Sequence, residues 1–311
     1  MIRAYSRPPR LQPGGCIGIA APSSPIRDKR LEAGLEYLRN HGYRVVLGEH
    51  LYDSYGYLAG LDRLRVSDLN AMFASQEVDA VFCARGGYGA CRIVDAVDWE
   101  QFRRRPKVFV GYSDITTLHL AAAKHSAVIT FHGPVVITLG DGLSARAEDM
   151  FWRTICDPVP LGQVTYPHDG ITCIQSGTAQ GPLAGGCLSL LCASLGTPEA
   201  PDFAGCIVLL EDTDEPLYRV DRMLVQLVRS GCCDDAAGFV IGTVSNLRPE
   251  DAPTPFSLTE LWADILGPLG KPIMAGIPVG HVADPWTLPL GCRAAMDARA
   301  GSLVIVEAAV S

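Results

Sequence analysis

The chain has 311 residues, 48% of them hydrophobic and 19% charged, with a formal net charge of -8 at pH 7. That length and apolar content are enough for two moderate cores and exclude a disordered chain, while the acidic balance speaks against nucleic acid or an anionic membrane as a partner. The 11 cysteines are scattered, odd in number and form no C-x-x-C pair, so they read as buried reduced thiols of a cytosolic protein rather than a zinc or dithiol site.

Met1 to Arg10 carries charge with no apolar stretch behind it, and no run of about 18 apolar residues follows, so neither export nor membrane spanning is expected. Cys16 to Ala20 is a short apolar run ending in Ala21-Pro-Ser-Ser-Pro25, and Leu31, Leu35 and Leu38 recur at helical spacing within 27–41. Strands are then expected at 43–47, 80–83 and 107–110, with helices at 61–74, 90–97 and 115–125 between and after them. This alternation predicts a parallel sheet flanked by helices, a flavodoxin- or Rossmann-like α/β domain over residues 1–145. The basic run Arg103-Arg104-Arg105-Pro106-Lys107 is a weak footprint in an acidic chain and reads as a solvated loop.

Alternation fails over 146–180, around Asp157-Pro-Val-Pro160, and this stretch reads as a connection. It resumes in a second α/β domain, 181–311, with strands at 207–210, 238–243 and 272–275 and helices at 219–229 and 258–266. The tail, 292–297 and 302–307, reads as an antiparallel hairpin, so the second sheet is expected to be mixed or swapped.

The segment Val108 to Leu120 runs a buried-type strand into a helix through Gly111-Tyr-Ser-Asp114. A hydroxyl at such a turn is placed for nucleophilic attack, and the following backbone N–H, that of Asp114, is able to receive an oxyanion. Ser113 is therefore the candidate nucleophile, although Ile115 stands where the usual elbow has a second glycine, and Ser113 also reads as an ordinary helix cap. A serine nucleophile needs a base and an acid to orient it. Glu211 directly follows the apolar run Cys206 to Leu210, and His281 follows Gly276-Ile-Pro-Val-Gly280; strand ends are where active-site groups of α/β folds gather. Glu211 also reads as part of a solvated acidic loop or a divalent-metal site within Glu211 to Glu215, His281 as a surface histidine, and His132 as the rival base. Ala84-Arg-Gly-Gly-Tyr-Gly-Ala90 lets backbone N–H groups approach a ligand closely. It matches neither dinucleotide nor P-loop fingerprint, so Gly86 or Gly87 is expected to supply a second oxyanion donor. Arg85 either clamps a substrate carboxylate or forms a structural ion pair.

Taken together, these segments resemble the LD-carboxypeptidase family of serine peptidases, which includes the microcin C immunity peptidases. The resemblance rests on Leu11 to Pro25, Tyr57-Leu-Ala-Gly60, Ala84 to Gly89, Gly111-Tyr-Ser-Asp114, Phe131-His-Gly-Pro134, Glu211 to Arg222 and Leu288-Pro-Leu-Gly291, in that order. It implies Ser113 as nucleophile, Glu211 as acid, His281 as base and His132 as a pocket residue. It implies an active site between the two domains and a cytoplasmic homodimer that uses no metal or cofactor. The reaction implied is release of a C-terminal residue across an L-to-D amide bond, commonly the terminal D-alanine of murein tetrapeptide in cell-wall recycling. An immunity-type peptidase acting on a peptidyl or aminoacyl nucleotide shares this machinery, with Phe151 and Trp152 available for stacking but better read as a buried helix face. A non-catalytic anion-binding module is the reading of another class. Cys187 stands where the family pattern usually has Asn, and Val282 follows His281 where a small residue is common.

Overall fold

Short buried strands alternate with helices from Cys16 onward, and the chain divides into two units. The computed structural model describes residues 4–27, 29–165, 170–247 and 257–311. Among these, the N-terminal unit takes 4–159, 284–291 and 308–311, and the C-terminal unit takes 160–283 and 292–307.

The N-terminal unit is built from β1 (Cys16–Ala20), α1 (Arg30–Asn40), β2 (Arg44–Leu47), α2 (Asp62–Ala74), β3 (Ala80–Cys83), α3 (Trp99–Arg104), β4 (Val108–Gly111), α4 (Thr116–Ala121), β5 (Thr130–His132), α5 (Val136–Asp141) and α6 (Ala145–Cys156). Strands β2, β1, β3, β4 and β5 lie side by side in parallel, and Leu288–Leu290, β12 in chain order, adds an antiparallel edge against β5. Every residue of β1, β3, β4 and β5 is buried, as expected of a parallel sheet covered on both faces. Phe73 of α2, Phe102 of α3 and Phe109 of β4 form one aromatic core, with Phe73 and Phe102 centroids 4.6 Å apart. Phe82 of β3 meets Phe151 of α6 edge-on at 5.7 Å. Trp152 stacks on Tyr43 at 5.0 Å and donates to the Tyr37 hydroxyl at 3.0 Å, so Phe151 and Trp152 both pack within this unit.

The C-terminal unit contains β6 (Gly162–Gln163), β7 (Thr172–Gln175), β8 (Thr178–Cys187), α7 (Leu188–Ala193), β9 (Ile207–Thr213), α8 (Leu217–Arg229), β10 (Gly238–Ser245), α9 (Leu258–Leu266), β11 (Ile273–Ala275), β13 (Arg293–Asp297) and β14 (Ser302–Ile305). Its sheet has the order β6-β14-β13-β8-β9-β10-β11-β7. The centre, β8 to β11, is parallel, and the flanks are antiparallel, including the β13–β14 hairpin. The fold is thus two-unit α/β with one nearly parallel and one mixed sheet.

Several local expectations differ. The stretch 146–180 is more than a connection: α6 occupies its start, as the helical reading of Phe151 and Trp152 expects, but β6 and β7 follow and β8 begins inside it. The helix expected at 90–97 is two short 3-10 turns, Ala90–Arg92 and Val94–Ala96. Side chains take the carbonyls there, Trp99 Nε1 donating to Val94 and Asn70 to Ala96, while Asp98 caps the later helix α3. The basic run is no loose loop either. Arg103 and Arg104 close α3 and pair with Glu100, and Lys107 is 6% exposed, donating to the Ser75 carbonyl at 2.6 Å and to that of Val78. All 11 cysteines are free of disulfides, but Cys91 and Cys173 are exposed rather than buried.

His119 of α4 is buried, and its Nε2–H donates to the Gly111 carbonyl at 2.9 Å, at the end of β4. Burial is the main cause that pushes its imidazole down to about 3. An unfolded imidazole titrates near 6.5, so the contribution of His119 is whole above that pH and is lost as pH falls towards the folded value. Urea unfolding between pH 7 and 5 should therefore show an acid-side loss of up to about 1.4 kcal/mol per pH unit that is missing in His119→Gln; equal slopes would refute this.

Candidate active site

Each unit carries one part of the chemistry expected from the sequence. In the N-terminal unit, β4 ends at Gly111, Tyr112 is extended, and Ser113 adopts φ 65°. A non-glycine residue with positive φ is uncommon and strained, and here it begins a 3-10 turn, Ser113–Ile115, that leads into α4. The helix expected at 115–125 is therefore a succession of 3-10, α and π turns over 113–126. The missing second glycine also has a local explanation. A Cβ on Gly111 would lie 2.8 Å from the Ile115 side chain, so Ile115 folds back over Gly111 and fills the space.

Gly86 lies directly against this turn. A Cβ there would sit 2.9 Å from Ser113 Cβ and 3.2 Å from Ser113 Oγ. Gly87, with φ 118°, packs on Ser24, whose Oγ accepts the Tyr88 N–H at 3.0 Å. Arg85 donates to two backbone carbonyls, Pro25 at 3.1 Å and Gly86 at 3.2 Å. Asp114 is 0% exposed, and its Oδ2 accepts the Ala90 N–H at 2.8 Å. Burial raises its pKa, opposed by Ser23, by the Ala90 N–H and by the charge of Arg65. His132 ends β5 in register with Gly111, is 1% exposed, and has its ring 6.0 Å from that of Tyr112.

In the C-terminal unit, Glu211 lies inside β9 rather than beyond it and is 0% exposed. His281 Nδ1 is 2.8 Å from Glu211 Oε2. A carboxylate only accepts, so Nδ1 carries the proton, and the neutral ring presents Nε2 as its basic nitrogen. Burial lowers the pKa of His281, but the hydrogen bond and charge of Glu211, with Asp212 and Asp214 behind, outweigh it and the net shift is upward. Gly280 is required beside this pair: its φ is 98°, and a Cβ would sit 2.6 Å from Glu211 Cδ. Two other acids of the run have partners of their own. Asp212 accepts the N–H groups of Ser189 and Thr213 at 2.7 and 2.8 Å, and Glu215 pairs with Arg219 at 3.4 Å. Among the described residues no group of three or more His, Cys, Asp or Glu is arranged to hold a metal ion. Cys187 is the parallel neighbour of Glu211 across β8 and β9, with Sγ 3.2 Å from Ser189 Oγ; burial and the charges of Glu211 and Asp212 push its thiol well up, so it stays protonated.

Sequence reasoning missed Ser23, Ser24, Asp62, Arg65 and His119, which brace these turns. Their types fit loops and helix faces equally well, and only the fold brings them together.

Residues 17–133 match the family model of the LD-carboxypeptidase N-terminal domain, and residues 180–296 that of the LD-carboxypeptidase C-terminal domain. The chain belongs to the LD-carboxypeptidase family. It is 41% identical to a putative carboxypeptidase of Streptomyces coelicolor, covering 98% of this chain and 97% of that one. It is 38% identical to a probable murein peptide carboxypeptidase of Bacillus subtilis, covering 98% and 95%. The solved muramoyltetrapeptide carboxypeptidase from Oxalobacter formigenes superposes with a TM-score of 0.81 at 30% identity, over 93% of this chain and 97% of that one. The microcin C7 self-immunity protein MccF, at 21% identity, shares the fold with a TM-score of 0.89. Among the described residues no helix is long and apolar enough to cross a membrane.

Two outcomes follow from the geometry. The His281 imidazole should titrate above 6.5 by NMR and move down in Glu211→Gln, because burial is then opposed only by the charges of Asp212 and Asp214; an unmoved midpoint would remove Glu211 as the cause. Gly86→Ala should cost about tenfold or more in turnover while leaving the chain folded, since its methyl group must displace Ser113; unchanged turnover would contradict the tight approach.

Proposed function

We propose that this chain is a serine carboxypeptidase that hydrolyses an L–D amide bond and releases the terminal D-alanine of murein tetrapeptide. The observation that carries the reading is the strained backbone of Ser113, a positive φ at a strand-to-turn junction packed against a glycine. Such strain persists where a nucleophile must be presented. The pair formed by buried Glu211 and partly exposed His281 supplies the remaining groups.

In this reading His281 Nε2 takes the Ser113 proton as Oγ attacks the scissile carbonyl, and Glu211 stabilises the imidazolium that forms. The oxyanion is received by the backbone N–H of Asp114 and by Gly86 or Gly87. His281 returns the proton to the departing amine of the D-amino acid, and water then hydrolyses the acyl-enzyme. His281 is preferred to His132 as base because a carboxylate fixes its tautomer. Arg85 and His132 are assigned to substrate binding. The names of the relatives in Bacillus subtilis and Oxalobacter formigenes support a murein peptide as substrate.

Mass spectrometry of murein tetrapeptide incubated with wild type should show loss of one D-alanine, with Ser113→Ala at least about a thousandfold slower. Ser113→Ala within tenfold of wild type would sink the assignment. Cleavage of an aminoacyl nucleotide in place of the tetrapeptide would transfer the same machinery to an immunity function. Because His281 must be neutral to act, the rate should rise with pH through a midpoint above about 6.5.

A further inference from the structure

The glycine turn beside Ser113 is held by side chains that the proposed chemistry leaves unused. Three consecutive residues each give one backbone group to a different side chain. The Tyr88 N–H goes to Ser24 Oγ at 3.0 Å, the Gly89 carbonyl receives Arg65 Nη1 at 2.9 Å, and the Ala90 N–H goes to Asp114 Oδ2 at 2.8 Å. Arg65 is fixed in turn: it donates to the Pro22 carbonyl and to Asp62 at 2.6 Å, and Asp62 also receives Arg92 at 2.9 Å. Arg65 is 2% exposed and Asp114 0%.

Left to itself, a turn with glycines at 86, 87 and 89 samples more backbone conformations than one with side chains at those positions. Peptide N–H groups stabilise a developing oxyanion only if they already point at it. The order must come from outside the turn, and buried charged groups are a costly way to supply order unless each is hydrogen-bonded. Both conditions meet in Asp114 and Arg65.

We propose that Asp114 and Arg65 are positioning residues that, with Ser24, set the Gly86–Gly87 peptide groups at the distance from Ser113 needed to receive the oxyanion. The proposal rests on the nucleophilic role of Ser113. Asp114 then acts twice: its backbone N–H is one oxyanion donor, and its carboxylate fixes the turn that carries the other. Because it follows Ser113 directly, the nucleophile and both donors share one anchor.

The test compares Asp114→Asn, Asp114→Ala, Arg65→Met, Arg65→Lys and Ser24→Ala in the full chain, with kcat counted per folded molecule and amide exchange followed at Tyr88 and Ala90. Expected are a kcat lower by about tenfold to a hundredfold in Asp114→Ala and Arg65→Met, KM within threefold, an unshifted acid limb and faster exchange at the turn. Arg65→Lys, which keeps a donor to the Gly89 carbonyl, should recover part of the loss. Should the charge variants fail to fold, Ser24→Ala retains both buried charges and should still lower kcat severalfold. The proposal is overturned if kcat per folded molecule stays within twofold of wild type in the folded variants, or if losses simply track the folded fraction. Ser113→Ala run alongside separates the two failures: if it is inert while the turn variants are fully active, only this inference falls, and if it is active, the nucleophile falls and takes this inference with it.

Discussion

The close approach of two backbone turns, at Gly86 and Ser113, is the constraint on which the N-terminal unit depends. A side chain at 86 would collide with Ser113, and a relaxed φ at 113 would carry the hydroxyl away from that turn. Parallel strands β3 and β4 bring the two turns side by side, since each turn leaves the C-terminal end of its strand. His119 and the Gly133 N–H both donate to the Gly111 carbonyl, at 2.9 and 3.2 Å, which fixes the end of β4 just before the strained residue.

Two buried carboxylates show how environment sets chemistry. Glu211 and Asp114 are equally inaccessible, but Glu211 faces an imidazole that gains charge when it takes a proton, whereas Asp114 binds a neutral peptide N–H. The first pairing changes strength with the protonation of its imidazole, and the second holds a backbone in place. Asp212, next to Glu211, is again different, because its two N–H partners lie at the start of α7 and in its own strand end. Adjacent acids of the same run thus bind different partners, which composition alone does not separate.

Much of this was legible before any coordinates. The 3.6-residue spacing of Leu31, Leu35 and Leu38 and the apolar runs at 80–83 and 207–210 located elements that the fold contains, as α1, β3 and β9, because periodic burial leaves a periodic trace. The candidates Gly86, Ser113 and Glu211 were readable for the same reason, since they follow the runs at 80–83, 107–110 and 207–210. β8 was not, since its sequence Thr178 to Cys187 holds three glycines and a proline and gains its strand character from pairing on both sides. Nor were Arg65 and Ser24 readable, for their importance lies in carbonyls and amides distant in sequence. Lys107 misled by composition: within a basic cluster it is the one whose ammonium is drawn inward by carbonyls at the end of α2 and before β3.

The N-terminal unit is not a continuous piece of chain. Its β5 edge is covered by β12, at Leu288–Leu290, and its start is joined to the far end through the Arg10 N–H and the Ser311 carbonyl. During synthesis the ribosome delivers β1 to β5 long before β12, so the first sheet waits with its β5 edge open as well as its β2 edge while the whole second sheet except its hairpin is made. An open strand edge invites foreign pairing, and vectorial folding here cannot finish the first unit before the second is nearly complete. A cut after Val159 would strip the N-terminal unit of β12 and of 308–311, and a cut after Ala283 would leave neither unit whole.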